Sequence, residues 1–108
     1  VYSIDAKCDV LGLERERVEE CEGVAEDVAR AMAERALENS RANLAVAITG
    51  FAGPREGDEE VGLIHLATAN ARGTKHEVLH LGDIGRNKAC QKAVEAALKM
   101  LVDQALRT

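Results

Sequence analysis

The sequence predicts an α/β sandwich built on a mixed, mainly parallel sheet that contains one antiparallel strand. Three observations support this prediction. Helix-period apolar patterns occupy residues 24–38 and 85–106. Segments 44–48 and 61–69 are apolar on both faces, which is typical of central strands with helices above and below them. Strands that alternate with such helices indicate an α/β layer architecture.

The first part of the chain predicts short elements. Residues 1–3 have the pattern of the end of a strand, after which Ser3 can cap a short helix that extends to about Leu11. Gly12 is the stop signal of this helix. The charged segment 13–23 predicts a second short helix or an exposed connection. Because the chain starts inside a strand pattern and without a methionine, we expect an upstream strand and helix to be missing.

An amphipathic helix follows from Val24 to about Glu38. Its apolar residues recur at spacings of three and four, and charged residues fill the other side. The apolar set is Ala25, Val28, Ala29, Met32, Ala33, Ala36 and Leu37. Polar residues 39–43 end the helix, and strand 44–48 follows directly. We therefore expect the helix to lie on a core and the strand to be central in the sheet.

The second half of the chain predicts a hairpin and a long helix. Strand 61–69 leads through a turn at 70–73 into strand 74–81, which pairs back on it in antiparallel orientation. Gly82-Asp83 ends this hairpin. The helix from about Gly85 to Leu106 carries many small apolar residues on one side, which lets it sit close to the sheet.

Composition restricts size, location and partners. The 108 residues are enough for one domain, and 46% are hydrophobic, with one Tyr, one Phe and no Trp. A net charge of −5 argues against nucleic-acid binding. Cys8, Cys21 and Cys90 are scattered and odd in number, which argues against disulfides or a zinc site and favours the reducing cytoplasm. No segment has the length and hydropathy of a membrane span, so we expect no membrane partner.

The most informative motif is Thr49-Gly50-x-x-Gly53-Pro54, at the carboxyl end of strand 44–48. Ligands bind at such strand ends in α/β sheets, and glycines let a ligand approach the backbone. The motif is no phosphate-binding fingerprint, because neither Gly-Lys-Ser/Thr nor a helix follows it directly. On its residues alone it is either an ordinary turn or a turn that presents Thr49 to a ligand.

Histidines and acidic residues give weaker indications. His65 lies in an apolar strand and is expected to be a satisfied core histidine or a partly covered one. His76 and His80 share a strand face about 13 Å apart, so we expect surface residues and no metal site. The acidic residues between 56 and 60 are expected to form a solvated loop.

Three basic residues remain as candidates. Lys7 lies in the first helix, where a lysine is usually exposed; it becomes a candidate base if burial lowers its pKa. Arg86 and Lys88 start the last helix beside Gly82-Asp83, where they are placed to steer an anionic ligand.

Three stretches together resemble the C-terminal domain of the CinA proteins, a bacterial family that includes stand-alone nicotinamide-nucleotide amidases. Residues 2–7, Tyr-Ser-Ile-Asp-Ala-Lys, look like the family's Tyr-Ser-Asn-Glu-x-Lys, and Leu11-Gly12 follow as expected. Residues 47–54, Ala-Ile-Thr-Gly-Phe-Ala-Gly-Pro, are similar to Ala-Ile-Thr-Gly-Ile-Ala-Gly-Pro. Val61-Gly62, and Gly82-Asp83 before an Ala/Leu-rich helix, complete the order, so the resemblance covers essentially the whole chain.

The resemblance implies a three-layer α/β/α fold and hydrolysis of nicotinamide mononucleotide to nicotinate mononucleotide and ammonia. It implies a serine nucleophile activated by a lysine, without cofactor or metal. Carried over by motif, Lys7 is that lysine, Tyr2 and Thr49 line the same pocket, and Gly50 and Gly53 offer backbone to the substrate.

The resemblance also implies that the serine belongs to a Glu-Ser-Cys-Thr-Gly-Gly motif upstream of residue 1, so we expect the 108 residues alone to be inactive. Arg86 and Lys88 are the candidates for binding the substrate phosphate. The alternative function is a non-catalytic pyridine-nucleotide-binding or regulatory module of the same fold, and a structural domain without a ligand is a third. Apolar surface left by a missing strand and helix would allow the chain to form a homo-oligomer.

Overall fold

A computed structural model describes residues 2–106, which form four helices and one three-stranded sheet. In chain order the elements are α1 (Ile4–Asp9), α2 (Arg15–Glu20), α3 (Glu26–Glu38), β1 (Leu44–Gly50), β2 (Leu63–Asn70), β3 (Gly73–His80) and α4 (Arg86–Leu106). The elements occur in the predicted order, and the charged segment after Gly12 does contain a short helix. Val1, part of the predicted strand end, lies outside the described residues, and Tyr2 has no regular secondary structure.

The described sheet is antiparallel throughout, in the order β1–β2–β3. The prediction of a mainly parallel sheet is therefore wrong for residues 2–106. Parallel neighbours need a crossover connection, usually through a helix. Residues 51–62 contain no helix, so the chain turns back after β1 and β2 pairs with it from Leu44↔Asn70 to Gly50↔Ile64. The predicted hairpin of β2 and β3 is confirmed.

Within the described sheet β1 lies at an edge, which corrects the prediction of a central strand. Val46 and Ile48 are 36% and 40% exposed, so one face of β1 is only partly covered. Ala47 and Thr49 point to the other face and are buried. An unbroken apolar run shows that a strand suits burial, but it does not show which neighbours cover the strand.

Helices pack on both faces of the sheet and give three layers. Ala67 of β2 belongs to the core cluster beneath α3, whereas Ile64 and Leu66 belong to the cluster beneath α4. Successive residues of a strand point to opposite faces, so these clusters lie on opposite sides of the sheet. Ala29 of α3 and Ala89 of α4 are fully buried. Small side chains therefore bring both helices close to the strands, as the sequence predicts.

The long helix α4 is attached to β2 by polar contacts as well as apolar ones. Gln104 is buried and donates to the Asn70 side-chain oxygen at 3.0 Å.

In residues 2–106, no helix combines the length and the hydropathy that crossing a bilayer requires.

Candidate functional site

A cavity of about 320 Å³ lies where the start of α1, the segment before α3 and the end of β1 meet. The residues that line it are Tyr2, Ser3, Ile4, Lys7, Glu22, Val24, Ile48, Thr49, Gly50 and Phe51. Four of the site residues predicted from the sequence are in this set: Tyr2, Lys7, Thr49 and Gly50. Almost fifty positions of the chain separate the first of them from the last. The fold therefore brings the Tyr-Ser stretch and the Thr-Gly turn to one place.

Lys7 is the buried cation of this cavity. Ser3 caps α1 by accepting a hydrogen bond from the Ala6 backbone N–H at 3.0 Å, which fixes the first turn that carries Lys7. Only 6% of Lys7 is exposed, and its Nζ donates to the Tyr2 carbonyl oxygen at 2.8 Å. Burial lowers the pKa of the Lys7 amine below its usual value, and the electrostatic interaction with Cys8 acts in the opposite direction as the smaller effect.

Thr49 is the buried hydroxyl of the cavity. It is 7% exposed at the end of β1, on the α3 side of the sheet, and its hydroxyl donates to the Gly23 carbonyl oxygen. Gly23 also packs against the lysine: a Cβ added to it would lie 3.4 Å from Lys7 Cε. Gly23 therefore contacts both residues.

Tyr2 contributes its backbone to this arrangement. Its side chain is largely free, since the residue is 86% exposed, whereas its carbonyl oxygen receives the Lys7 amine. Gly50 lines the cavity, but its lack of a side chain has a structural reason. A Cβ at this position would lie 2.6 Å from the Leu63 carbonyl oxygen of the neighbouring strand.

Gly53, Arg86 and Lys88 are not among the lining residues of this cavity. Gly53 has a φ of +100° and precedes a cis peptide bond to Pro54. Its carbonyl oxygen accepts a hydrogen bond from the Arg86 guanidinium at 2.9 Å, so Arg86 ties the start of α4 to the turn. Lys88 is exposed two residues further along α4. The turn thus has two ends, with Gly50 at the cavity and Gly53 at α4.

Glu22 and Phe51 line the cavity, and Gly23 lies beside it in contact with Lys7; the sequence-based prediction named none of them as site residues. Gly23, with a φ of +79°, reads in the sequence as an ordinary end of a charged segment. Glu22 and Phe51 also line an adjoining open cleft of about 920 Å³, together with Glu19, Glu20, Cys21, Glu56, Gly57, Asp58 and Glu59. The acidic loop predicted from the sequence thus forms one wall of this cleft.

The histidines are arranged differently from the prediction in one respect. His65 is partly buried and has a partner, as expected: its Nδ1 lies 2.9 Å from His76 Nε2, and the two rings stack. His76, however, is not a surface residue, because only 8% of its side chain is exposed and Glu26 of α3 lies 3.7 Å away. His80 is exposed and contacts Glu60. The described residues contain no His, Cys, Asp and Glu cluster that could hold a metal ion.

Fold and cavity together define an α/β sandwich with a small polar pocket at one end of its edge strand. The chain belongs to the CinA C-terminal domain family, whose sequence model matches residues 1–105. The resemblance seen in the three sequence stretches is thereby confirmed.

Relatives and solved structures agree with this assignment. The nicotinamide-nucleotide amidohydrolase PncC of Escherichia coli is 39% identical over 111 residues, which cover 98% of this chain and 66% of that protein. A CinA-like protein of Flavobacterium psychrophilum is 34% identical over 108 residues, covering 98% of this chain and 26% of that protein. The chain thus spans about a quarter of the longer relative and just under two thirds of the shorter one.

The crystal structure of a competence/damage-inducible protein from Agrobacterium tumefaciens superposes with a TM-score of 0.89 at 44% identity. The match covers all of this chain and 66% of that one. A CinA superfamily protein from Escherichia coli superposes with a TM-score of 0.80 at 29% identity, covering 90% of this chain and 57% of that one.

Proposed function

We propose that the protein is an amidohydrolase that converts nicotinamide mononucleotide to nicotinate mononucleotide and ammonia. The observation that carries this proposal is the buried amine of Lys7, which faces the same cavity as the Thr49 hydroxyl and whose pKa burial lowers. The similarity to a relative named as a nicotinamide-nucleotide amidohydrolase supports the substrate and the reaction.

In the proposed reaction Lys7 acts as the base for a serine nucleophile supplied by polypeptide upstream of residue 1. The serine oxygen attacks the amide carbonyl carbon while Nζ takes its proton. Collapse of the tetrahedral intermediate breaks the C–N bond, and Nζ returns the proton to the leaving nitrogen, which departs as ammonia. A water molecule then attacks the acyl-enzyme, with Nζ again accepting and donating the proton, and the carboxylic acid leaves. A lysine can start this sequence only when neutral, which is why its lowered pKa matters.

Other residues of the site hold this base in place. The Tyr2 carbonyl oxygen fixes the position of Nζ, and the bond from Thr49 to Gly23 keeps the 22–24 segment against the lysine stem. Arg86 and Lys88 are the proposed contacts of the substrate phosphate. The turn that starts at Gly50 in the cavity carries the Gly53 carbonyl oxygen to Arg86, so an extended nucleotide can follow it.

Ammonia release from nicotinamide mononucleotide by the intact protein tests the proposal. We expect Lys7→Ala to lower kcat by about a hundredfold or more, the usual loss when a general base is removed. Lys7→Arg keeps a cation but cannot supply a neutral amine, so we expect a similar loss. Lys92→Ala, a change at an exposed position of α4, is the matched control. Turnover by Lys7→Ala equal to that of the control would remove Lys7 from the mechanism.

A second candidate is a module that binds pyridine nucleotides without hydrolysing them. The acidic wall of the adjoining cleft favours it, because carboxylates beside the cavity oppose the approach of a phosphate. Calorimetry of the intact protein with nicotinamide mononucleotide, combined with the ammonia assay, separates the two. Binding without ammonia release would support the module, and turnover would exclude it.

A further inference from the structure

Glu22 and Phe51 stand where the Lys7 cavity and the acidic cleft meet, because both residues line both spaces. They come from different elements: Glu22 follows α2, and Phe51 follows β1. Phe51 is the single Phe of the chain and is partly buried, whereas most of the apolar core is aliphatic. One acidic and one aromatic residue thus lie where the two spaces join, beside the cavity that holds the candidate base.

The backbone around Glu22 is fixed. Its φ of +55° lies in the left-handed region, and it is the one non-glycine residue with a positive φ in the described chain. The N–H of Glu22 donates to Glu19 O at 3.2 Å, and the next N–H, that of Gly23, donates to Val18 O at 2.8 Å. No ion pair found within residues 2–106 includes Glu22. Glu22 is thus an exposed residue at the rim of the cavity, with a fixed backbone and without a basic partner among the described residues.

We propose that Glu22 and Phe51 make this site selective for ligands that carry a positively charged aromatic ring, a pyridinium, over neutral rings of the same size. A cation is attracted to an aromatic face within about 6 Å of the ring centre, and a carboxylate adds Coulomb attraction from a second side. This inference rests on the proposed function, since the amide of an N-substituted pyridinium is the group that the proposed reaction hydrolyses. It adds the feature by which the ring is recognised.

The charges around the cavity agree with this selectivity. Five further acidic residues, Glu19, Glu20, Glu56, Asp58 and Glu59, line the adjoining cleft, and no Lys or Arg is among the described residues that line it. Glu19 and Glu20 contact Arg15 and Arg17, so the loop residues Glu56, Asp58 and Glu59 contribute most of the negative charge that favours a cation there. Lys7 is the cation that would oppose a pyridinium inside the cavity. Burial disfavours the charged form of this amine and lowers its pKa, which is the direction that reduces this opposition.

The test compares two ligands with aromatic rings of the same size and different charge: nicotinamide riboside, a cation, and benzamide riboside, its neutral analogue. Neither ligand carries a phosphate. Binding of each to the intact protein is measured by calorimetry in the unmodified form and in Glu22→Gln, Phe51→Leu and Glu16→Gln. Glu16 is exposed on α2 and does not line the cavity, so its variant changes net charge equally and serves as the control.

We expect the unmodified protein to bind the cation more tightly. Glu22→Gln and Phe51→Leu should each reduce the ratio of the two affinities by about two- to fivefold, the usual effect of one partly exposed ion pair or cation–π contact. Glu16→Gln should leave the ratio unchanged. If Glu22→Gln fails to fold, Glu22→Asn removes the same carboxylate contact with a residue that tolerates a positive φ.

Equal ratios in all four proteins, or binding of neither ligand, would overturn the inference. If ammonia is released from nicotinamide mononucleotide but the ratio does not respond to Glu22 and Phe51, the inference is wrong and the proposed function stands. If the ratio responds and no ammonia is released, the proposed hydrolysis is wrong and the charge selectivity stands.

Discussion

Gly23 and Gly12 offer a matched pair of substitutions that isolates the contact with Lys7. Both glycines follow a short helix with similar positive φ values, +79° and +73°. A Cβ at Gly12 would meet no heavy atom within 4 Å, whereas a Cβ at Gly23 would lie 3.4 Å from Lys7 Cε and 3.7 Å from Nζ. The two alanine variants therefore carry the same backbone strain, and only one of them places a methyl group on the lysine stem.

The expected loss of stability is similar for the two variants. Placing a non-glycine residue in the left-handed region costs roughly 1–2 kcal/mol. A separation of 3.4 Å is close to ordinary carbon–carbon contact, so the added methyl group should cause little further strain. We expect the free energies of unfolding of Gly12→Ala and Gly23→Ala, measured in urea, to fall by about 1–2 kcal/mol each and to agree within about 0.5 kcal/mol.

The two variants should differ in the chemistry of Lys7. The methyl group of Gly23→Ala excludes water from the amine, which disfavours its charged form and moves the pKa of Lys7 further down. The pH profile of ammonia release should therefore shift to lower pH in Gly23→Ala and stay in place in Gly12→Ala. If Gly23→Ala is less stable than Gly12→Ala by several kcal/mol, or if both profiles coincide, the packing of Gly23 on Lys7 is not as described.

Three further predictions follow from single contacts. Gly62→Ala should lower the free energy of unfolding by more than about 3 kcal/mol in urea, because its Cβ would lie 2.2 Å from the Gly82 carbonyl oxygen, a backbone atom that cannot swing away. Burial, and then the charge of His76, lower the pKa of His65 in the folded state. The contribution of His65 to stability is therefore complete above the usual pKa of 6.5 and is lost as the pH falls through the folded pKa. In urea titrations, a His65→Gln variant should lose less stability over that pH window than the unmodified protein does. Lys7→Met should flatten the rise of stability with pH below 10.5. The reason is that the pKa of Lys7 is lowered in the folded state, so the unfolded chain binds more protons than the folded chain in that range. An unchanged slope would mean that the amine is not buried.

Much of the local structure could be predicted from the sequence. The Ser3 cap, the apolar face of α3 and the hairpin of β2 and β3 each depend on residues close together in the chain. The family motifs also named Lys7 and Thr49 before their proximity was visible, and both do line one cavity. These features are predictable because capping, periodicity and turn formation are short-range effects.

The direction and coverage of the strands were not predictable in this way. The pattern of apolar side chains indicates which residues of a strand can be buried. The direction of a strand relative to its neighbour depends instead on how long the connecting segment is and whether it contains a helix. The same limit explains His76, whose burial beneath α3 requires a helix from forty residues earlier to cross its strand.

By itself, the sequence determined where helices and strands form and which family the chain belongs to, because those follow from patterns of neighbouring residues along the chain. Only the tertiary structure decided that the described sheet is antiparallel and that Gly23 joins Lys7 to Thr49. It also decided that Glu22 and Phe51 share the entrance to that cavity. These are contacts between distant segments, and they form only when the packing of α1, α3 and β1 brings the segments together.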